Sequence, residues 1–114
     1  MYYPTLEEAK TLGSRGNLIP IYTEIDADLE TPVSAYLKVA VPPYSFLLES
    51  VEGGEHIARY SFIGTEPEDV IITGPGQQNG ETDPLKLVEK MLSNFNLVET
   101  SNLPRFRGGA VGYL

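Results

Sequence analysis

The sequence of 114 residues contains no cysteine and only one histidine. The absence of cysteine excludes disulfide bridges, thiol nucleophiles and thiolate metal sites, and it is typical of proteins from a reducing compartment. The single histidine, His56, excludes a metal site built from several histidines. Since no serine and acid stand at an identifiable catalytic spacing from His56, the sequence predicts no catalytic triad.

Basic residues are also scarce. Eight lysines and arginines face 16 acidic residues, which gives a net charge of −8. This charge repels phosphate backbones and anionic lipid head groups, so we expect neither nucleic acid nor a membrane surface as a partner. No run approaches the roughly 20 apolar residues that cross a bilayer, and the first residues lack the pattern of an export signal. We therefore expect a cytoplasmic protein.

The sequence contains enough hydrophobic residues to form the core of one domain. Hydrophobic residues make up 41% of the chain and charged residues 21%, which is ordinary for a folded protein. A chain of this length buries about two-thirds of its unfolded surface around a single core. One domain over residues 1–114 is therefore expected.

Three helices are predicted from their start signals. Thr5 and Glu8 have the spacing of a capping box, which predicts a short helix to about Leu12. Thr31-Pro32 and Asp83-Pro84 each combine a capping side chain with a proline at the first helical position. The second helix must end before the proline pair at positions 42 and 43.

The remaining apolar segments predict strands. Runs at residues 45–51 and 56–63, joined by a glycine-containing turn, predict a β-hairpin. Further strands are expected at residues 18–25, 69–73 and 104–114. The last of these ends the chain on apolar residues, from which we expect the chain to be the front piece of a longer protein. The fold class is α+β, an antiparallel sheet flanked by helices.

The hairpin also carries the polar residues of most interest. Alternation places Glu49 on one face of its strand and Leu48 and Ser50 on the other. Glu49 could recognise an amino-acid ammonium group or backbone amides at the strand end. Arg59, on the second strand, could approach Glu49 or Ser50 and bind a carboxylate. The alternatives are an exposed strand glutamate and an ordinary cross-strand ion pair.

Two other patterns are rejected as sites. The acidic alternation Asp26, Asp28 and Glu30 begins like a calcium loop, but Thr31 stands where such a loop needs glycine. It is read as a solvated acidic segment. The glycine-rich stretch at residues 74–76 is not followed immediately by a helix and contains a proline, so it is read as a loop and not as a phosphate cradle.

Five segments, in this order and with these gaps, resemble the N-terminal region of anthranilate synthase component I, a chorismate-using family. The segments are Leu18-Ile19-Pro20-Ile21-Tyr22, Thr31-Pro32-Val33-Ser34-Ala35-Tyr36, Phe46-Leu47-Leu48-Glu49-Ser50, Arg59-Tyr60-Ser61-Phe62-Ile63-Gly64 and Gly108-Gly109-Ala110-Val111-Gly112-Tyr113. Together they cover nearly the whole chain. The resemblance implies the N-terminal, regulatory domain of a layered α/β enzyme whose C-terminal chorismate-binding, catalytic domain is absent here.

The resemblance also implies a function. The family's whole enzyme converts chorismate to anthranilate with Mg²⁺ and with ammonia that a glutamine amidotransferase subunit, component II, delivers. Its N-terminal region contributes to the feedback site for L-tryptophan, and this implies an effector site at Leu48, Glu49 and Ser50. Pro20, Arg59 and Tyr60 are carried over from neighbouring motifs. No catalytic residue, metal ligand or cofactor is assigned to these 114 residues.

Two alternatives remain open at this point. Component I of para-aminobenzoate synthase is similar in this region, and suppression of the full-length activity by tryptophan would distinguish the two. The other alternative is a small-molecule binding module of unrelated class, which a stable monomer without exposed strand edges would favour. Unpaired strand edges otherwise predict self-association.

Overall fold

The structure is a computed structural model that describes residues 1–52, 58–100 and 102–114. Within these described residues, three helices and two strands follow one another in the order α1, α2, β1, β2, α3. Their bounds are α1 Leu6–Leu12, α2 Pro32–Val39, β1 Phe46–Glu52, β2 Ala58–Gly64 and α3 Pro84–Leu92. The predicted α+β class is confirmed. In the described part of the chain, no helix is long and apolar enough to cross a membrane.

The three predicted helix starts are confirmed. In α1 the Thr5 hydroxyl accepts the Glu8 N–H at 3.3 Å, and the Glu8 carboxylate accepts the Thr5 N–H at 2.8 Å. Thr31 caps α2 by accepting the Ser34 N–H at 3.0 Å. Asp83 caps α3 in the same way, through the N–H of the second helical residue. Each cap satisfies an amide that has no partner within its helix.

The capping box of α1 makes its stability depend on pH. Hydrogen bonding from the Thr5 N–H, and secondly from its hydroxyl, lowers the pKa of Glu8 below the ordinary value of 4.5. Because the folded pKa is the lower one, the stabilisation is present above pH 4.5 and is lost as the pH falls through the folded value. We expect the Thr5 amide NMR signal to move with pH below 4.5. Glu8→Gln should abolish that movement and Glu7→Gln should preserve it; persistence in Glu8→Gln would contradict the assignment.

Strands β1 and β2 form the predicted hairpin. They pair antiparallel, with Phe46 opposite Gly64 and Glu52 opposite Ala58 at the two ends of the register. The predicted turn, together with His56, lies outside the described residues. Helix α2 contacts β1, so one helix of the predicted flanking layer packs on the hairpin.

The three other predicted strands are wrong. Residues 18–25 make only isolated bridges, at Leu18 with Leu97 and at Tyr22 with Tyr3. Residues 69–73 are not a strand, nor are residues 104–114. A strand is defined by its hydrogen-bonded partner, and among the described residues these segments have no continuous neighbour with which to form a ladder.

The chain divides into two compact units, one of residues 1–24 and 71–114 and the other of residues 25–70. In the first unit, the segment after α1 is tied to the segment after α3. The N–H groups of Asn17 and Leu18 both donate to the Asn96 carbonyl, at 3.1 and 3.2 Å, and Val98 N–H donates to the Leu18 carbonyl at 2.9 Å. Val98 is 3% exposed and is therefore buried at this junction of the two segments.

The second unit consists of α2 and the hairpin, with the loops that precede and follow them. Ser45 fixes the start of β1, since its hydroxyl accepts the Val41 N–H at 2.9 Å and lies 3.0 Å from the Thr65 hydroxyl. Large apolar side chains remain exposed here, among them Leu29 at 98% and Leu37 at 72%. This unit holds most of the residues that the sequence singled out as a site.

Candidate functional site

Five of the six predicted site residues lie on the hairpin. Leu48, Glu49 and Ser50 are consecutive in β1, and Arg59 and Tyr60 are consecutive in β2. The register brings the two groups together, since Ser50 pairs with Tyr60 and Glu49 pairs with Ser61. The sixth residue, Pro20, is half-buried and belongs to the other unit.

The two faces of the hairpin carry different chemistry. Residues directly opposite each other in an antiparallel pair lie on the same face, and successive residues alternate between faces. One face therefore holds Phe46, Leu48, Tyr60 and Phe62, which we call the aromatic face. The other holds Leu47, Glu49, Ser61 and Ile63, which we call the glutamate face. The predicted separation of Leu48 from Glu49 is confirmed.

The aromatic face combines exposed apolar surface with ordered rings. Leu48 is 45% exposed and Tyr60 is 40% exposed. The rings of Tyr60 and Phe62 are stacked, with centroids 6.1 Å apart and planes inclined by 20°. At the far end the ring of Phe46 lies directly over Gly64, in space that a Cβ at position 64 would occupy. The face is therefore a flat apolar strip with a phenol hydroxyl towards one end.

The glutamate face presents a carboxylate between half-buried aliphatic groups. Glu49 and Ser61 are exposed, while Leu47 and Ile63 are half-buried. By the register, Arg59 pairs with Val51 in the backbone ladder.

The charge of the second unit suits a cationic group. Residues 25–70 contain nine acidic residues and two basic ones. One of the basic residues, Lys38, is already paired with Glu30. Hydrogen bonding from Lys38, and secondly from Ser34, lowers the pKa of Glu30, so this carboxylate stays ionised. The negative charge of this unit favours a ligand with an ammonium group and disfavours a ligand whose only charge is a carboxylate.

The described residues offer no place for a metal ion. Among them, no three histidine, cysteine, aspartate or glutamate side chains gather as ligands would. This includes the alternation of Asp26, Asp28 and Glu30. Mg²⁺, which the resemblance implies for the whole enzyme, therefore finds no ligand set among the described residues.

Sequence reasoning missed two residues of the aromatic face, Phe46 and Phe62. Both stand two positions from predicted site residues, Phe46 before Leu48 and Phe62 after Tyr60. The sequence pattern could have identified both residues, because residues two positions apart lie on the same face of a strand. What the sequence did not supply is the register, which joins the two pairs into one strip.

Comparison with known proteins finds relatives among the component 1 proteins of anthranilate synthase. Anthranilate synthase component 1 of Acetivibrio thermocellus is 41% identical, aligned with 99% of this chain and 25% of that protein. Probable anthranilate synthase component 1 of Schizosaccharomyces pombe is 44% identical, over 98% of this chain and 22% of that protein. Anthranilate synthase component 1 of Synechocystis is 42% identical, over 98% and 24%. No family model and no solved structure matches the chain.

These relatives define the class as the component 1 proteins of anthranilate synthase, and the resemblance found in the sequence is confirmed. The chain belongs to the anthranilate synthase component 1 family, as an N-terminal region of it. It spans about a quarter of the length of the curated relatives it matches.

Proposed function

We propose that this chain is the tryptophan-sensing N-terminal portion of anthranilate synthase component I, with its effector site at Leu48, Glu49 and Ser50. The observation that carries the proposal is the similarity to component 1 proteins over 98 to 99% of the chain. The sequence motif that resembles the family's feedback site falls within β1, in the middle of the hairpin.

The chemistry of the hairpin supports an amino-acid effector with a large aromatic side chain. Such a ligand needs an anion for its ammonium group and an apolar surface for its ring. Glu49 supplies an exposed carboxylate, and Leu48 and Tyr60 supply exposed apolar surface on the other face of the same hairpin. The surplus of acidic residues in the second unit favours a ligand that brings a positive charge.

The activity of the whole protein is part of the proposal. In it, the longer enzyme converts chorismate to anthranilate in tryptophan biosynthesis, with ammonia from the glutamine amidotransferase component II. The residues that perform this chemistry, and those that hold Mg²⁺, belong to a chorismate-binding domain outside these 114 residues. The chain's own part is regulatory: tryptophan bound at the hairpin shifts the enzyme towards an inactive conformation.

Calorimetric titration of the chain with L-tryptophan tests the proposal. We expect saturable binding of L-tryptophan and none of D-tryptophan, since the hairpin must recognise the ammonium and the ring together. Glu49→Gln removes the charge and should weaken binding about tenfold, the effect of losing one charge-assisted hydrogen bond. Glu7→Gln, an exposed glutamate of α1, is the matched control and should bind like the unchanged chain.

The outcome also separates the alternatives. Binding that ignores the enantiomer, or that Glu49→Gln and Glu7→Gln leave equally unchanged, would contradict an effector site at Glu49. In that case the para-aminobenzoate branch becomes the better interpretation of the family resemblance, because there the equivalent segment serves structure more than regulation.

A further inference from the structure

We propose that Asn79 is a site of spontaneous deamidation, and that its conversion to aspartate or isoaspartate opens the loop of residues 72–80, which we call the 72–80 loop. This loop precedes α3 in the chain and belongs to the first unit, whereas the hairpin belongs to the second. The modification therefore does not depend on the proposed function.

The sequence around Asn79 favours this reaction. Asparagine is a thermolabile residue, because the backbone nitrogen of the next residue can attack its side-chain amide. A side chain on that next residue hinders the approach, and glycine has none. Asn79 is followed by Gly80, whereas the four other asparagines are followed by leucine or phenylalanine. Those four are Asn17, Asn94, Asn96 and Asn102. Among the asparagines of the chain, the reaction is therefore favoured at Asn79.

The reaction consumes only water. The Gly80 nitrogen, after giving its proton to hydroxide, attacks Cγ of Asn79. The bond from Cγ to Nδ2 breaks, and Nδ2 takes up a proton from water and leaves as ammonia. Water then opens the cyclic imide at either of its two carbonyl groups. One water molecule is consumed and one ammonia is released, and the product is aspartate or isoaspartate.

The closed 72–80 loop holds both reacting groups in hydrogen bonds. The Gly80 N–H donates to the Gln77 carbonyl at 3.0 Å, and the Gly80 carbonyl accepts the Gly74 N–H at 2.6 Å. The Asn79 side-chain amide donates to the Ile72 carbonyl at 3.2 Å. Because Asn79 and Gly80 are also half-buried, the attack takes place after the loop opens. Loops open at a lower cost in free energy than the core elements of a fold.

Deamidation removes the hydrogen bond that Asn79 donates to Ile72. A carboxylate has no N–H to donate, and its oxygen would face the oxygen of the Ile72 carbonyl. The new negative charge also adds to the charges of Glu81 and Asp83, which follow closely in the chain. Both effects disfavour the closed loop, so the loop stays open once the reaction has occurred.

Peptide mass mapping of the chain during incubation at mildly alkaline pH tests the site. We expect an amide to be replaced by a carboxyl group at Asn79, as aspartate and isoaspartate, before any other asparagine reacts. Gly74→Ala should speed this conversion at least about fivefold, because alanine is strained at the φ of +130° that Gly74 adopts. Gly112→Ala is the matched control, since a Cβ there would meet nothing within 4 Å, and it should leave the rate unchanged.

Hydrogen exchange of the Gly74 amide tests the effect on the loop, because that N–H donates to the Gly80 carbonyl. Asn79→Asp reproduces one product of the reaction and should raise the exchange rate about fivefold, the usual worth of one hydrogen bond. Gln78→Glu adds the same charge at an exposed neighbouring residue and should leave the exchange rate unchanged.

Retention of the amide at Asn79, or conversion of another asparagine at the same rate, overturns the proposed site. Equal conversion in Gly74→Ala and Gly112→Ala contradicts an opening step before the attack. Equal exchange of the Gly74 amide in Asn79→Asp and Gln78→Glu overturns the proposed release of the loop.

Discussion

Replacing Gly16 by alanine is expected to lower the free energy of opening around Val98 by about 3 kcal/mol. A Cβ at position 16 would lie closer than 3.0 Å to the Asn96 carbonyl oxygen and 3.0 Å from Cγ2 of Val98. The obstacle is backbone, and it is the same carbonyl that accepts the N–H groups of Asn17 and Leu18. The segment that follows α1 and the segment that follows α3 must therefore separate to accept the methyl group, and Val98 becomes exposed to solvent.

Hydrogen exchange of the Val98 amide measures this loss, because that N–H donates to the Leu18 carbonyl across the junction. Gly112→Ala is the matched control, since a Cβ there would meet nothing within 4 Å. It should change the free energy of opening, as measured by exchange of the Val98 amide, by no more than about 0.5 kcal/mol. Equal exchange in the two variants would show that the junction at Asn96 does not hold the first unit together.

The second large effect is expected at the end of the hairpin. Gly64→Ala should destabilise the hairpin by about 2 kcal/mol, because the new Cβ would lie closer than 3.0 Å to three carbons of the Phe46 ring. The ring must leave its place over Gly64, and the aromatic face loses one end. The measurement is the urea concentration at which the amide signals of Leu48 and Phe62 leave their folded positions.

A double-mutant cycle separates this clash from the ordinary effect of alanine in a strand. In a Phe46→Ala background the obstacle is gone, and Gly64→Ala should become neutral or stabilising by about 0.5 kcal/mol, since alanine loses less backbone entropy than glycine. The predicted coupling between the two substitutions therefore exceeds about 1 kcal/mol. If the effect of Gly64→Ala is the same in both backgrounds, the ring does not constrain position 64.

The helices were predictable because their signals are local. Thr5 with Glu8, Thr31 with Pro32, and Asp83 with Pro84 each fix a helix start through groups no more than three residues apart. The hairpin was predictable for the same reason, since its two strands are close in sequence and share an alternating pattern.

The failed strands depend on partners that are far away in sequence. Residues 18–25 have the composition of a strand, yet they are bridged at one end to Leu97 and at Tyr22 to Tyr3, with no ladder between. Residues 69–73 and 104–114 show the same limit. The composition of a segment indicates its propensity for a β-strand, but it does not indicate whether a second strand lies beside the segment to pair with it.

The candidate site shows a similar division. The motif at Leu48 to Ser50 pointed to the hairpin, and alternation alone separated Leu48 from Glu49. The strip that joins Leu48 to Tyr60 and Phe62 depends on the pairing of Leu48 with Phe62 and of Ser50 with Tyr60. A shift of one residue in that register would have placed Tyr60 opposite Glu49, so the site needed the structure.

The most direct test of the tryptophan-sensing proposal is a two-dimensional amide NMR spectrum of the labelled chain, titrated with L-tryptophan and with D-tryptophan as control. The proposal predicts saturable shifts for the L enantiomer alone, centred on Leu48, Glu49 and Ser50 and extending across the register to Tyr60. A dispersed spectrum that responds to neither enantiomer, or that responds only away from the hairpin, would contradict it.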